Sequence, residues 1–228
     1  MSPFSAVFQT LFPTTCVGCG EVLVNGEHQL CVGCLASLSE TLVGAILDNP
    51  AERMLASRIP LQAAMSLYRF KRGNTVQKVV HAMKFHNNTE LCHMMGRQLG
   101  LALLHSGRFD DVDILVPVPL HWLRHLRRGY NQSELLCRGI AEVMPRPVVT
   151  TAVMRHRYTR KQSLQSGNSR NSNVEGAFRL RRPALLEGKH VLLVDDVLTT
   201  GATLGACART LLAVEGVQIS VATFSIAD

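Results

Sequence analysis

Two hydrophobic rhythms run along this chain. Val76, Val79, Val80 and Met83 recur at i, i+3, i+4 and i+7, which places them on one face of a helix. A second helix is predicted over Thr89 to His105, with Leu91, Met94, Met95, Leu99, Ala102 and Leu103 turned inward, and a third carries Leu135, Leu136, Ile140 and Val143 on one face. Between them lie short apolar runs bounded by charges and turn residues, the pattern of strands buried on both sides. These runs are Met65 to Phe70, read as an edge strand, Asp113 to Pro119, Pro147 to Met154, Lys189 to Val194 and Val217 to Phe224. The second stops at its prolines, because each Pro lacks the N–H that a ladder needs. A helix from about Ala202 to Val214 separates the last two strands. Strands alternating with helices predict an α/β fold with a mostly parallel sheet.

The first 62 residues follow neither rhythm for long. Leu35, Leu38, Leu42, Val43 and Ile46 make a helical pattern that breaks near Asn49-Pro50, read as a connecting helix and linker. Ahead of it, Cys16-Val-Gly-Cys19 and Cys31-Val-Gly-Cys34 form two identical knuckles eleven residues apart. Each Gly lets the backbone turn so that both sulfurs face one metal, and four thiolates favour zinc over magnesium or calcium. An iron–sulfur cluster uses the same number of cysteines, whereas disulfides are disfavoured in a cytosolic chain. Four sulfurs leave no open coordination position, so the expected role is structural. Cys92, Cys137 and Cys207 stand alone in helical patterns and read as small buried residues. The organisation expected is a zinc knuckle or ribbon over residues 1–40, a helical linker over 41–62 and an α/β domain over 63–228.

With 46% hydrophobic and 18% charged residues the composition is that of a globular protein. No apolar run approaches the ~20 residues that span a bilayer, and the first fifteen residues carry neither a basic leader nor a clear small-residue cleavage site. The expected location is the cytoplasm, without membrane insertion. Charge changes the picture more than composition does. Residues 124–182 hold 13 of the 24 Lys and Arg but only three of the 17 acids, Glu134, Glu142 and Glu175. Such asymmetry points to a polyanionic partner, pyrophosphate or nucleic acid, although a charge run is also what any solvated basic face would show. Within it, residues 155 to 176 are polar and rich in Ser and Asn with no apolar period, the mark of a functional or disordered loop.

The densest chemistry lies in Val191-Leu-Leu-Val-Asp195-Asp196-Val-Leu-Thr199-Thr200-Gly201-Ala202-Thr203. A buried strand ends in two acids, and ligands of open α/β sheets bind at the C-terminal ends of strands. Gly201 allows close backbone approach, and the N–H groups opening the next helix attract an anion. Carboxylates do not bind phosphate directly; they accept from ribose hydroxyls or bind magnesium with its waters. The set fits a sugar phosphate, against the blander reading that Thr and Asp are merely good helix caps.

This run resembles the phosphoribosyl pyrophosphate signature of type I phosphoribosyltransferases. The resemblance implies that Asp195 and Asp196 hold the ribose 2- and 3-hydroxyls and that Thr199, Thr200, Gly201, Ala202 and Thr203 hold the 5-phosphate. Val116-Pro-Val-Pro119, Arg128-Gly-Tyr-Asn131-Gln132, Gln162-Ser-Leu164 and Arg170-Asn-Ser-Asn173 through Ala177-Phe178 narrow it to the ComF family, whose members place a four-cysteine zinc motif before the domain. What this resemblance implies is a fold of the type I phosphoribosyltransferase kind and a ligand that is phosphoribosyl pyrophosphate with magnesium, or another ribose 5-phosphate compound. It also implies a role in natural competence, with single-stranded DNA and DNA-uptake proteins as partners. By position Pro117 to Gln132 resembles the loop that receives pyrophosphate, with Arg128 supplying charge and Asn131 and Gln132 hydrogen bonds. The basic loop takes the place of the hood over the site, with Arg160, Lys161, Gln162, Arg170 and Asn173 as its candidates. Relatives acting on 6-oxopurines carry an Asp three residues after the second acid; Thr199 stands there, which disfavours hypoxanthine or guanine as acceptor. Lys84 and the pair His121 and His125 lie near these segments and are read as structural. No G-x-x-x-x-G-K loop is present, which excludes a motor of that kind. Two functions follow: transfer of a phosphoribosyl group to an acceptor the sequence does not name, or a non-catalytic sensor or nucleic-acid adaptor on the same fold.

Overall fold

Apolar runs without alternation can be buried only between two helical layers, and the computed structural model arranges them so. It describes residues 14–39, 46–85, 87–157 and 176–227. Four parallel strands make the central sheet, in the order β1 (Ala64–Phe70), β6 (Gln218–Ala227), β5 (His190–Leu198) and β2 (Ile114–Pro117). The Met65 run is an edge strand, as its sequence predicts. On one face lie α3 (Thr75–Phe85), α4 (Thr89–Ser106) and α6 (Gln132–Val143), against Leu115, Leu192, Val194, Ala222 and Phe224. On the other face lie α2 (Pro50–Ala56) and α7 (Ala202–Leu211), against Ile114, Val116, Val191, Leu193 and Val221. Two short helices, α1 (Val32–Ser39) and α5 (Trp122–Arg128), are also among the described residues.

Two readings change. Residues 147–154 do not form one strand: Val148 makes a single parallel bridge to Leu115, and the chain then enters β3 (Val153–Arg155). That strand pairs antiparallel with β4 (Phe178–Leu180) in a separate two-stranded sheet. Pro145 and Pro147 withhold ladder donors, which limits pairing at the sheet edge. Of the pattern in residues 35–60, Leu35 and Leu38 lie in α1, Leu42 and Val43 fall outside the described residues, and a second helix, α2, follows. Asn49-Pro50 is a start as well as a break, because Asn49 accepts from the N–H groups of Ala51 and Glu52 while Pro50 fits the first helical position. The buried Ala51 and Leu55 then seat α2 on the sheet.

Close approach of α4 and α6 depends on glycine. A Cβ on Gly96 would stand 2.4 Å from the Leu136 carbonyl oxygen, and one on Gly139 would stand 2.3 Å from that of His93. With no side chain at either crossing point, α6 lies low over the sheet and starts at the C-terminal ends of β2 and β5.

The N-terminal cysteines fold into a small module of isolated bridges, Thr15 with Val22 and His28 with Leu30. Cys16, Leu30, Cys34 and Leu38 join the same core as Val76, Val79 and Val80 of α3. Lys78 donates from Nζ to the Gly18 carbonyl, and the Ser37 and Thr75 hydroxyls lie 2.7 Å apart. Among the described residues no helix is long and apolar enough to cross a membrane.

Candidate functional site

Strand β5 runs on through the acid pair to Leu198, past the point where the apolar run ends. Alternation sends Asp195 to the face of Val191 and Leu193 and Asp196 to the face of Leu192 and Val194. Both are tied to the first residues of α6. Asn131 caps that helix, accepting from the Ser133 N–H and donating to the Val118 carbonyl. Behind the cap, Ser133 Oγ donates to Asp195 Oδ1 at 2.8 Å and Gln132 Nε2 donates to Asp196 Oδ2 at 2.8 Å. Arg128 donates to Gln132 Oε1 and lies over the exposed Phe85 ring. From the opposite side, Lys84 at the end of α3 places Nζ 3.0 Å from Asp196 Oδ2.

The electrostatics follow from this crowding. Burial and the neighbouring Asp196 charge push Asp195 up to about 7, against the pull of the Asp196 N–H, Ser133 and Lys84. Burial also lowers the Arg128 guanidinium, against the opposing effect of Asp196. Among the described residues the side-chain hydrogen bonds gather on Oδ1 of Asp195 and Oδ2 of Asp196. The other oxygen of each carboxylate is left to accept, which suits paired hydroxyls or a hydrated magnesium ion.

Beyond β5 the chain turns through exposed Thr199 and Thr200 into Gly201, which caps α7 at φ +72°. Only glycine adopts that conformation freely, and a Cβ there would come 3.2 Å from Leu55 Cδ2 and from Arg58 Nε. Ala202 donates its N–H to Thr200 Oγ1 at 3.4 Å, and Thr203 is half-buried in the first turn of α7. Residues 55 and 58, on the segment read as linker, thus lie beneath the loop proposed for phosphate.

Of the residues picked from sequence, Asp195, Asp196, Arg128, Asn131 and Gln132 therefore meet at one strand end, with Thr199 to Thr203 following directly. Arg160, Lys161, Gln162, Arg170 and Asn173 lie outside the described residues. Arg155, which opens that loop in sequence, is the last residue of β3, buried with its guanidinium over the Phe178 ring. Sequence reading missed Ser133 and passed over Lys84. The signal for Lys84 was its position one turn after Val80, which puts a charge beside a buried apolar stripe.

A second cluster is complete in itself. The Sγ atoms of Cys16, Cys19, Cys31 and Cys34 all lie within 4.8 Å of one another, with Cys19 and Cys31 3.8 Å apart. Sulfurs about 2.3 Å from a tetrahedral zinc stand at about that separation. The thiols are unequal: burial raises Cys16, but N–H donors from Cys31, Cys19 and Gly18 outweigh it and bring it to about 6, while burial and neighbouring sulfurs push Cys34 up. A cation among them would favour all four as thiolates, so the donor set and its spacing fit a bound metal.

The chain matches the model of the phosphoribosyl transferase domain over residues 131–227. It is 35% identical over 166 residues to the DNA utilization protein YhgH of Escherichia coli K12, covering 72% of this chain and 71% of that one. The YhgH of Salmonella typhimurium is 34% identical over 211 residues, with 88% and 91% covered. Competence protein F of Haemophilus influenzae is 33% identical over 147 residues, with 62% and 64% covered. With the parallel sheet, the phosphoribosyl transferase domain and the four clustered cysteines ahead of it, these matches make the chain a member of the ComF family.

Proposed function

We propose that this protein binds phosphoribosyl pyrophosphate with magnesium at the end of β5, as a phosphoribosyltransferase-type protein acting in the handling of incoming DNA. The observation that carries the reading is the pair Asp195 and Asp196, positioned by Ser133, Gln132 and Lys84 directly before the Thr199–Thr203 turn. In this reading the free carboxylate oxygens accept from the ribose hydroxyls, and the loop N–H and Thr hydroxyl groups hold the 5-phosphate. Arg128 offers charge to the diphosphate, and Arg160, Lys161, Gln162 and Arg170 are further donors to it. Magnesium, carried in with the diphosphate, supplies neutralisation of the leaving charge. If transfer occurs, the bond from C1 to the diphosphate breaks and a nucleophile on an acceptor still to be identified forms its bond at C1. The four thiolates hold a structural zinc, which requires the reduced thiols of a cytoplasmic setting.

DNA enters through the relatives' names, DNA utilization protein and competence protein F, and through the basic segment 124–182. That segment also supports a second reading, a non-catalytic sensor or adaptor in which the same charges contact single-stranded DNA or an uptake protein. Calorimetric titration with phosphoribosyl pyrophosphate and magnesium, repeated in the presence of single-stranded DNA, tests both. Saturable binding displaced by DNA supports a shared anion site, and binding indifferent to DNA confines the site to the sugar phosphate. Absence of binding refutes the main reading and leaves the adaptor.

A further inference from the structure

Lys84 has no part in the roles assigned above beyond touching Asp196, yet its setting is unusual for a structural lysine. It extends from the buried stripe of Val76, Val79, Val80 and Met83, and its side chain is only 20% exposed. A buried ion pair contributes little net stability, because desolvation offsets the Coulomb attraction. If the only task were to tie α3 to β5, apolar contact would serve as well. The ammonium also shares its carboxylate oxygen with Gln132, behind which stands Arg128. Two cations from different elements thus converge on one side of two adjacent carboxylates. An incoming diphosphate would be repelled by that acid pair unless cations intervened. Lys84 has three N–H donors on a flexible stem, and its ion pair is with Asp196, with the Asp195 carboxylate also within its electrostatic reach.

We infer that Lys84 is a further binding residue of this site: its ammonium holds Asp196 in the free protein and is shared with the diphosphate of a bound phosphoribosyl ligand. The inference rests on the reading under Proposed function, and goes beyond it in giving this cation the leaving-group side of the ligand.

The test compares two ligands that differ only in the diphosphate. Phosphoribosyl pyrophosphate and ribose 5-phosphate, each with magnesium, are titrated calorimetrically into the full-length protein, Lys84→Met and Lys84→Arg. Loss of one charge-assisted contact to an anion predicts that Lys84→Met weakens phosphoribosyl pyrophosphate by roughly 10- to 100-fold, while ribose 5-phosphate changes by less than about threefold and Lys84→Arg retains most of the affinity. Equal losses for both ligands would reduce Lys84 to a prop for Asp196 and overturn the inference, as would no loss for either. Should Lys84→Met fail to fold, Lys84→Gln, which keeps a donor without the charge, replaces it, and the ribose 5-phosphate affinity reports an intact site. Wild-type protein that binds neither ligand overturns the site reading itself, an outcome distinct from wild-type binding without Lys84 dependence.

Discussion

Strand β5 carries polar groups at both ends, and the two ends are built to opposite purposes. At the N-terminal end, His190 Nε2 lies 2.9 Å from Ser220 Oγ and Nδ1 lies 3.2 Å from Asp111 Oδ2. Serine, histidine and aspartate in that order resemble the machinery of a hydrolase. Yet Ser220 is fully buried within β6, and none of the three residues lines the hollow of about 440 Å³ bounded by Glu187, Gly188, Glu215 and Gly216. The trio closes the bottom of the sheet. At the C-terminal end the polar groups are also hydrogen-bonded, but their partners come from α3, α6 and the strand itself, leave one oxygen of each carboxylate free and gather cations. Short distances do not distinguish the two ends; the convergence of Lys84, Gln132 and Ser133 on an acid pair directly before a glycine-capped helix start does.

The largest way to disturb the contrast acts from a distance. The four-cysteine module sits on the first turns of α3, and the last turn of α3 delivers Lys84. A structural four-thiolate zinc is worth several kcal/mol of folding free energy, so chelation should lower the melting temperature by roughly 10 °C or more. Hydrogen exchange should then quicken over residues 75–85 while residues 218–221 at the far end stay protected. Metal analysis should find about one zinc per chain; metal-free protein with the same melting temperature would disprove the structural role.

Gly139→Val strikes the scaffold of the C-terminal end, since the new side chain must displace the His93 carbonyl. Overpacking of this kind costs about 1–3 kcal/mol and should weaken ligand binding, because α6 carries Gln132 and Ser133. His190→Ala should cost a comparable 1–3 kcal/mol by stranding the Ser220 hydroxyl, but should leave ligand affinity within about twofold. Denaturant unfolding together with ligand titration separates these outcomes; equal effects on binding would erase the distinction between the ends.

A smaller effect is set by protons. Asp195 ordinarily titrates near 3.8 and is pushed up to about 7 here. Between those values the folded state holds a proton that the unfolded chain has lost, so stability conferred at low pH declines as pH rises towards 7. A ligand whose hydroxyls need the ionised carboxylate gains affinity over the same interval. Ribose 5-phosphate affinity should therefore rise from pH 5.5 to 7.5 by roughly tenfold, and more steeply than in Asp195→Asn; parallel profiles would remove Asp195 from the ribose contact. Gly201→Ala should have the smallest effect on stability, about 1 kcal/mol for the left-handed conformation, read as a small fall in melting temperature.

Much of this was legible in the chain because the signals were local. Apolar runs gave the parallel strands, and the order of acids, threonines and glycine after Val194 marked the strand end to within a few residues. The cysteine pairs announced their own cluster. What was hidden depended on distant packing. Ser133 is an ordinary helix-start serine until α6 lies over β5, and that requires Gly96 and Gly139 to meet across a helix crossing. Lys84 reads as a solvated charge at the end of an amphipathic helix until the fold turns it on Asp196. Pro147 to Met154 looked like one strand because its apolar pattern says nothing about which sheet each half can reach.

The central claim is that Asp195 and Asp196 hold a ribose. The measurement that addresses it most directly is calorimetric titration of phosphoribosyl pyrophosphate with magnesium into wild type and Asp195→Asn/Asp196→Asn. Removing two charged acceptors should weaken binding at least about 100-fold, while the variant still folds with a lowered melting temperature, because relief at Asp195 is offset by the Lys84 ammonium left without its partner. Unchanged affinity in a folded double variant would contradict the account.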